Sequence, residues 1–222
     1  DERVAIRVLL VDDDAMVRMG LSMILQSSDE FQVVGEAADG DEVVRVAQQT
    51  LPDVILLDLG MQRVNGLNAI GLLRKAGIKS KILVLTTWDG SDDVMRALDA
   101  GAAGYLLKIS SQEQIKDAVR SVHAGDAVLS PRTTRQLLDR FASNSHGAER
   151  RAAQQLIGQL TERELQVARQ IAKGGSNEDV ARALFVSVAT VKTHLASIQQ
   201  KLDVDGRVQI AVLVERAGLN RG

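Results

Sequence analysis

Four short apolar runs in this chain end in side chains that together could handle a phosphoryl group. Asp12, Asp13 and Asp14 follow Val8-Leu9-Leu10-Val11, and Asp58 follows Val54-Ile55-Leu56-Leu57. Thr86 ends Ile82-Leu83-Val84-Leu85, and Lys108 ends Tyr105-Leu106-Leu107. Clustered carboxylates repel one another unless a cation joins them or one stays protonated. Hard oxygen ligands of this kind suit Mg²⁺, which keeps several waters and binds through one or two carboxylates plus a phosphate. A carboxylate nucleophile, a metal on the equatorial oxygens, a hydroxyl and an ammonium are the parts that phosphoryl transfer requires. Taken singly, each residue has a plainer reading: an Asp after a strand is commonly a turn or cap residue, Lys108 a solvated surface lysine, Thr86 a β-former. Four strand ends that each bear a needed group favour the joint reading. Asp14 is read as the cap of the first helix.

The elements that must position these groups are legible in the periodicity. With Gln32-Val33-Val34-Gly35, the runs above make five strands, near-continuously apolar in the manner of parallel strands buried on both faces. Amphipathic stretches of helix length, such as 15–26 and 40–49, lie between them. Strand–helix alternation repeated five times predicts an α/β fold, a doubly wound five-stranded parallel sheet with right-handed crossovers. Such sheets carry their functional residues at the carboxyl ends of the strands, near a topological switch point.

After this domain, expected over 1–125, Ser130-Pro131 starts a helix carrying Leu137, Leu138 and Phe141. A small, polar stretch over 142–148 follows, so 126–154 is expected to be a linker with a helix. A second, smaller all-α domain is expected over 155–222. Thr161-x-x-Glu164 is a capping box opening a helix through Lys173, which Gly174-Gly175 ends. Ser176-x-x-Asp179 opens a short helix through Leu184, Ser187 a third to about Leu202, and Asp205 is expected to cap a fourth containing Val208, Ala211 and Val212.

The bulk composition narrows the function classes. Net charge is −2, but residues 1–125 hold 13 Lys and Arg against 19 Asp and Glu, whereas 126–154 and 155–222 each carry +2. An acidic front half suggests a cation site and a mildly basic back half an anionic partner. The absence of cysteine rules out disulfides and thiolate metal sites and fits a reducing cytoplasm. His123, His146 and His194 are too scattered for a zinc site. No apolar run approaches the roughly 18 residues of a membrane span, and Asp1-Glu2-Arg3-Val4 holds no signal-peptide hydrophobic region. A cytoplasmic protein without membrane contact is expected.

In the third C-terminal helix, Val188, Val191, Leu195, Ile198 and Leu202 form an apolar stripe at spacings of 3 and 4. The opposite face is centred on Thr193, with Ala189, Ala196, Ser197 and Gln200 around it and Lys192 and His194 on its flanks. Small and hydrogen-bonding side chains there suit close approach to a DNA major groove, with Lys192 reaching a phosphate or a guanine. An ordinary solvated helix fits this pattern equally well.

The longer strings carry a resemblance. Val-Leu-Leu-Val-Asp12-Asp13-Asp14, Leu-Leu-Asp58-Leu-Gly-Met61, Val-Leu-Thr86-Thr87 and Gly-Ala-Ala-Gly-Tyr105-Leu-Leu-Lys108 resemble receiver domains of response regulators over about 6–124. Leu160-Thr-Glu-Arg-Glu-Leu, Ile171-Ala-Lys-Gly-Gly-Ser-Asn177, Ala189-Thr-Val-Lys-Thr-His194 and Lys201-Leu resemble the LuxR-type DNA-binding domain of the NarL/FixJ family over 158–219. The first resemblance implies that Asp58 accepts a phosphoryl group from a sensor histidine kinase. Asp13, Asp58 and the Gly60 carbonyl would hold Mg²⁺, Asp12 helping through water. Lys108 would contact the phosphoryl group, and Thr86 with Tyr105 would form the switch. The second implies a helix-turn-helix from Ser176 to Leu195 on double-stranded promoter DNA, with Lys192 and Thr193 at base or groove positions. It also implies a homodimer, formed on phosphorylation through Val208, Ala211 and Val212. The protein is therefore expected to be a transcription regulator and not an enzyme.

Departures from the pattern are Gln62 and Ile109 where proline is frequent, Asn65 where Asp is usual, and Ala196 where some relatives have lysine. Ile109 puts a cis peptide after Lys108 in doubt. Trp88, two residues past Thr86, has two readings: an indole that obstructs hydrolytic water, or a loop aromatic that packs locally. Two rivals remain: a phosphorylation-independent regulator with a degenerate switch, and a haloacid-dehalogenase-type phosphatase. The phosphatase needs Thr or Val where Met16 stands, and it gives no account of the C-terminal 60 or so residues.

Overall fold

The computed structural model describes residues 5–87, 92–130, 133, 136, 139 and 147–219, and the chain divides into two compact units at Val128 and Leu129. In the first unit, β1 (Ile6–Val11), β2 (Phe31–Ala37), β3 (Val54–Asp58), β4 (Lys81–Thr86) and β5 (Gly104–Leu107) pair in parallel in the order β2-β1-β3-β4-β5. Helices α1 (Ala15–Gln26), α2 (Val43–Thr50), α3 (Gly66–Lys75), α4 (Asp92–Asp99) and α5 (Gln112–His123) connect and cover them.

The doubly wound α/β sheet read from the sequence is the one observed. Strand side chains alternate between faces. Val8, Leu10, Val54, Leu56, Leu83 and Leu85 pack with Leu21 and Leu25 of α1 and with Ile115, Val119 and Val122 of α5. The intervening Leu9, Ile55, Leu57, Ile82 and Val84 are fully buried on the other face. Only β2, an edge strand, carries exposed residues. The chain passes from β1 outward to β2 and then back across to β3, so the winding reverses between β1 and β3. That reversal is the switch point at which such sheets open a crevice.

The far edge is closed by the segment after α5. Tyr105 donates its N–H to the Val128 carbonyl at 3.0 Å, and Val128 bridges Gly104. Val128 thus pairs with the sheet edge, and residues 126–128 fall within the first compact unit. Gly104 is required there because a Cβ would collide with the Val128 backbone.

The second unit contains α6 (Gly147–Ile157), α7 (Glu162–Ala172), α8 (Asn177–Leu184), α9 (Val188–Leu202) and α10 (Arg207–Arg216). Ala153 and Ile157 of α6 join Val167, Ile171, Val180, Val191, Leu195, Ile198, Ile210 and Val214 in one core. The boundary expected between 154 and 155 falls inside α6, because Ala153 and Ile157 share one buried face of a continuous helix. Both expected capping boxes form, Thr161 with Glu164 and Ser176 with Asp179. The last helix is capped by the extended backbone of Gly206, one residue after the Asp205 expected. Ser130 Oγ accepts the Thr133 N–H at 3.1 Å, the bond of an N-cap, and 133, 136 and 139 are helical. Leu137, Leu138, Phe141 and residues 142–146 lie outside the described residues.

Replacing Gly104 with alanine should push Val128 off the sheet edge and cost about 1–3 kcal/mol. A urea unfolding midpoint equal to wild type would show that the close approach carries no stability.

Candidate phosphorylation site and nucleic-acid interface

At the switch point, Asp12 is fully buried after β1, and Asp58, the last residue of β3, is 5% exposed. β5 delivers the cation: Lys108 Nζ lies 2.9 Å from Asp12 Oδ2 and 3.2 Å from Asp58 Oδ1. Asp12, Asp13 and Asp58 each offer an oxygen within 4.8 Å of the others, with Asp13 exposed at the mouth. A cleft of about 380 Å³ is lined by Asp13, Asp58, Gly60, Thr86 and Lys108, and also by Asp93 from α4. Asp14 lines the same cleft and also caps α1, accepting the Met16 N–H at 2.8 Å. The acidic triplet therefore divides its labour: Asp12 is buried, whereas Asp13 and Asp14 are exposed and Asp14 also caps a helix.

The electrostatics follow from this packing. Burial pushes the Asp58 carboxyl above its ordinary value, and neighbouring Asp12 pushes the same way; Lys108 and the Gly60 backbone oppose them. Burial disfavours the Lys108 ammonium, but the hydrogen bonds and charges of Asp12 and Asp58 outweigh it and hold the ammonium protonated. An oxygen-only donor set with two of its members buried fits Mg²⁺ by ligand type.

Two strands supply the remaining groups. Thr86 ends β4, is 8% exposed and accepts the Lys108 N–H on its carbonyl at 2.8 Å. Tyr105 on neighbouring β5 is 5% exposed. The loop after Asp58, which carries Gly60, is held at both ends. Gly66 packs so tightly that a Cβ would strike the Asp58 carbonyl. At the far end, buried Asp39 accepts the N–H groups of Gly40 and Val64, both at 2.7 Å, and of Arg63 at 2.9 Å. These bonds outweigh burial and hold the Asp39 carboxyl below its ordinary value. Asn65 caps α3 through the Asn68 N–H at 2.9 Å, so Asp is not needed there. Ile109 is 88% exposed, and the described residues include no cis peptide. Trp88 lies outside the described residues.

In the second unit, α8 and α9 are joined by Phe185-Val186-Ser187. Phe185 closes α8 in the left-handed region (φ 55°) and Ser187 caps α9. Val191, Leu195, Ile198 and Leu202 are buried as expected, but Val188 is 36% exposed, because the first turn of α9 extends past the core. Ala189, Lys192, Thr193, Ala196 and Gln200 are exposed and share the outer face. Ser197 departs from them: it is half-buried and donates its hydroxyl to Glu164 Oε1 at 2.6 Å. His194 is half-buried. On α10, Val208 and Val212 are 3% and 5% exposed and Ala211 is half-buried, so two of the three expected dimer residues are covered within a single chain.

The chain matches the family model described as the response regulator receiver domain over residues 8–120. It also matches the model for bacterial regulatory proteins of the luxR family over 158–214. It belongs to the LuxR-type response regulators. It is 40% identical over 211 residues to the transcriptional regulatory protein LiaR of Bacillus subtilis, covering 95% of this chain and 97% of that one. It is 38% identical to a nitrate/nitrite response regulator homologue of Haemophilus influenzae, over 94% and 95% of the two chains. Among solved structures it is similar to the response regulator ChrA of a heme-sensing two-component system. That likeness has a TM-score of 0.51 and 36% identity, and covers 97% of this chain and 98% of that one. This response regulator is accordingly a DNA-binding member of a two-component system, and its two units are the receiver and the LuxR-type domain. Among the described residues no helix is long and apolar enough to cross a membrane.

Two residues of this regulator escaped the sequence reading. Asp39 gives no periodic signal, and Glu164 was legible only as the third residue of a capping box. In the structure Glu164 also receives Lys201 Nζ at 2.7 Å and Ser197. Burial pushes its carboxyl up, but Lys201, Ser197 and Thr161 together hold it down at about 2 from an ordinary 4.5. A depressed carboxyl stabilises the fold above its unfolded pKa and loses that contribution as pH falls toward the folded one. Half-exposed Lys201 is screened by solvent, so ~1–2 kcal/mol is expected from Glu164 above about pH 4.5, fading toward pH 2. Thermal melts of wild type and Glu164→Gln should differ most above pH 4.5 and converge near pH 2; a difference independent of pH would contradict this.

Proposed function

We propose that Asp58 accepts a phosphoryl group from a sensor histidine kinase in a Mg²⁺-dependent reaction, and that this modification controls dimerisation and promoter binding by the LuxR-type domain. The reading rests on one observation above others: Lys108 Nζ within 3.2 Å of both Asp12 and Asp58, beside an Asp13 oxygen, in an open cleft. An Asp58 oxygen attacks phosphorus as the kinase's phosphohistidine P–N bond breaks, and Lys108 then turns from the two carboxylates toward the new phosphoryl oxygens. Asp12, Asp13, Asp58 and the Gly60 carbonyl would hold Mg²⁺, which supplies charge neutralisation on the phosphoryl oxygens when bound. Thr86 and Tyr105, on adjacent strands, would carry the change in charge to the faces of α4 and α5.

In the second unit Lys192, Thr193, Ala189 and Gln200 form the surface offered to double-stranded DNA, with Ser197 set aside by its bond to Glu164. A homodimer through Val208, Ala211 and Val212 requires that the cover over Val208 and Val212 be withdrawn. This fits a unit that pairs only after activation. DNA as partner implies a cytoplasmic regulator.

Incubation with acetyl phosphate and Mg²⁺ followed by Phos-tag electrophoresis tests the chemistry. Wild type should show a retarded band that disappears without Mg²⁺ and in Asp58→Asn. An unshifted wild type, or a shifted Asp58→Asn, would sink the proposal and favour a phosphorylation-independent regulator.

A further inference from the structure

Helix α9 carries Ser197, which the sequence places on the face offered to DNA, and Lys201 one turn further on. Both are turned inward to one anion. Glu164 is 5% exposed, and its two oxygens receive three donors: Ser197 Oγ at 2.6 Å, Lys201 Nζ at 2.7 Å and the Thr161 N–H at 2.8 Å; the Glu164 N–H in turn donates to the Thr161 hydroxyl at 3.3 Å, closing the capping box. Its neighbour Arg163 donates from Nη2 to the Leu184 carbonyl at 2.7 Å, the last residue of α8. Two adjacent residues at the start of α7 thus grip both helices of the helix-turn-helix: Arg163 holds the end of α8, and Glu164 holds the second half of α9.

We infer that Glu164 is a positioning residue for DNA recognition and that Lys201 is its strut and not a phosphate contact. The argument is geometric. α9 rests on its apolar stripe of Val191, Leu195, Ile198 and Leu202, and such a stripe permits rolling about the helix axis by several degrees. Ser197 and Lys201, one turn apart, are anchored to one buried carboxylate on another helix, which removes that freedom. Charge-assisted bonds of this length are strong and directional. Base-edge readout depends on the angle at which Ala189, Lys192 and Thr193 are presented, whereas phosphate contacts tolerate small rotations. The inference rests on the DNA-binding role of the LuxR-type domain and requires nothing of Asp58.

The test uses the full chain and two duplexes, one selected from a random pool by the wild type and one of scrambled sequence. Glu164→Gln and Lys201→Met should each lose about tenfold in preference for the selected duplex, which corresponds to about 1.4 kcal/mol. The double variant should be no worse than the poorer single one. The slope of log affinity against log salt should stay at the wild-type value in Lys201→Met, since each phosphate contact contributes about −0.9 to it. A slope reduced by about one in Lys201→Met overturns the inference, because the lysine is then a phosphate contact. Equal loss on both duplexes also overturns it, because that reports a smaller folded fraction. Unchanged preference in both variants does the same. Lys201→Met removes a half-exposed side chain, so it keeps the test valid if Glu164→Gln fails to fold.

Discussion

Carboxylates crowded at the end of one sheet need a cation, and in this protein the sheet supplies one. Lys108, delivered by β5, reaches across β4 to Asp58 on β3 and Asp12 on β1, so three strands meet in a single charge cluster. Strand order does much of the work. With β1 and β3 adjacent and the winding reversed between them, no helix connection blocks the crevice, and the carboxyl ends of both strands open into it. The same electrostatic economy explains why the pocket suits transfer of an anionic group. A phosphoryl group on Asp58, as proposed, would add negative charge where burial and Asp12 already disfavour it, and Lys108 is the protein's own group placed to answer it.

The second unit solves a different problem with the same means. A four-helix arrangement with an extra helix, α6, has to hold α9 at a fixed angle if, as proposed, that helix reads DNA. Its apolar core sets the distance between helices, but hydrophobic burial is non-directional and cannot set the roll of α9. Directionality enters through Glu164 and Arg163, whose bonds run from one helix start to two other helices. In both units a buried carboxylate has a lysine partner.

Much of this was legible in the sequence, and the boundary of legibility has a physical reason. The five strands, the two capping boxes and Asp14 as a cap follow from local periodicity and side-chain type, which act over three or four residues. The convergence of Asp12, Asp58, Thr86 and Lys108 was also readable, because parallel strands leave their carboxyl ends on one edge whatever the details. Asp39 was not readable, since its partners Arg63 and Val64 lie 24 and 25 residues away and hydrogen-bond to it through backbone N–H groups, which every residue offers. Ser197 was placed with the outer face by helical angle alone, and a partner 33 residues away draws it inward. Val208 and Val212 were expected at an interface by family resemblance, which carries no information on what covers them in a single chain; there they are buried.

The central claim is that a charge added to Asp58 in one unit governs DNA binding by the other. Fluorescence anisotropy with a labelled duplex selected by the phosphorylated protein measures this directly, comparing wild type and Asp58→Asn with and without acetyl phosphate and Mg²⁺. The account predicts that wild type gains affinity on treatment and Asp58→Asn does not. Equal affinity in treated and untreated wild type, with Asp58 shown by mass to be phosphorylated, would contradict it.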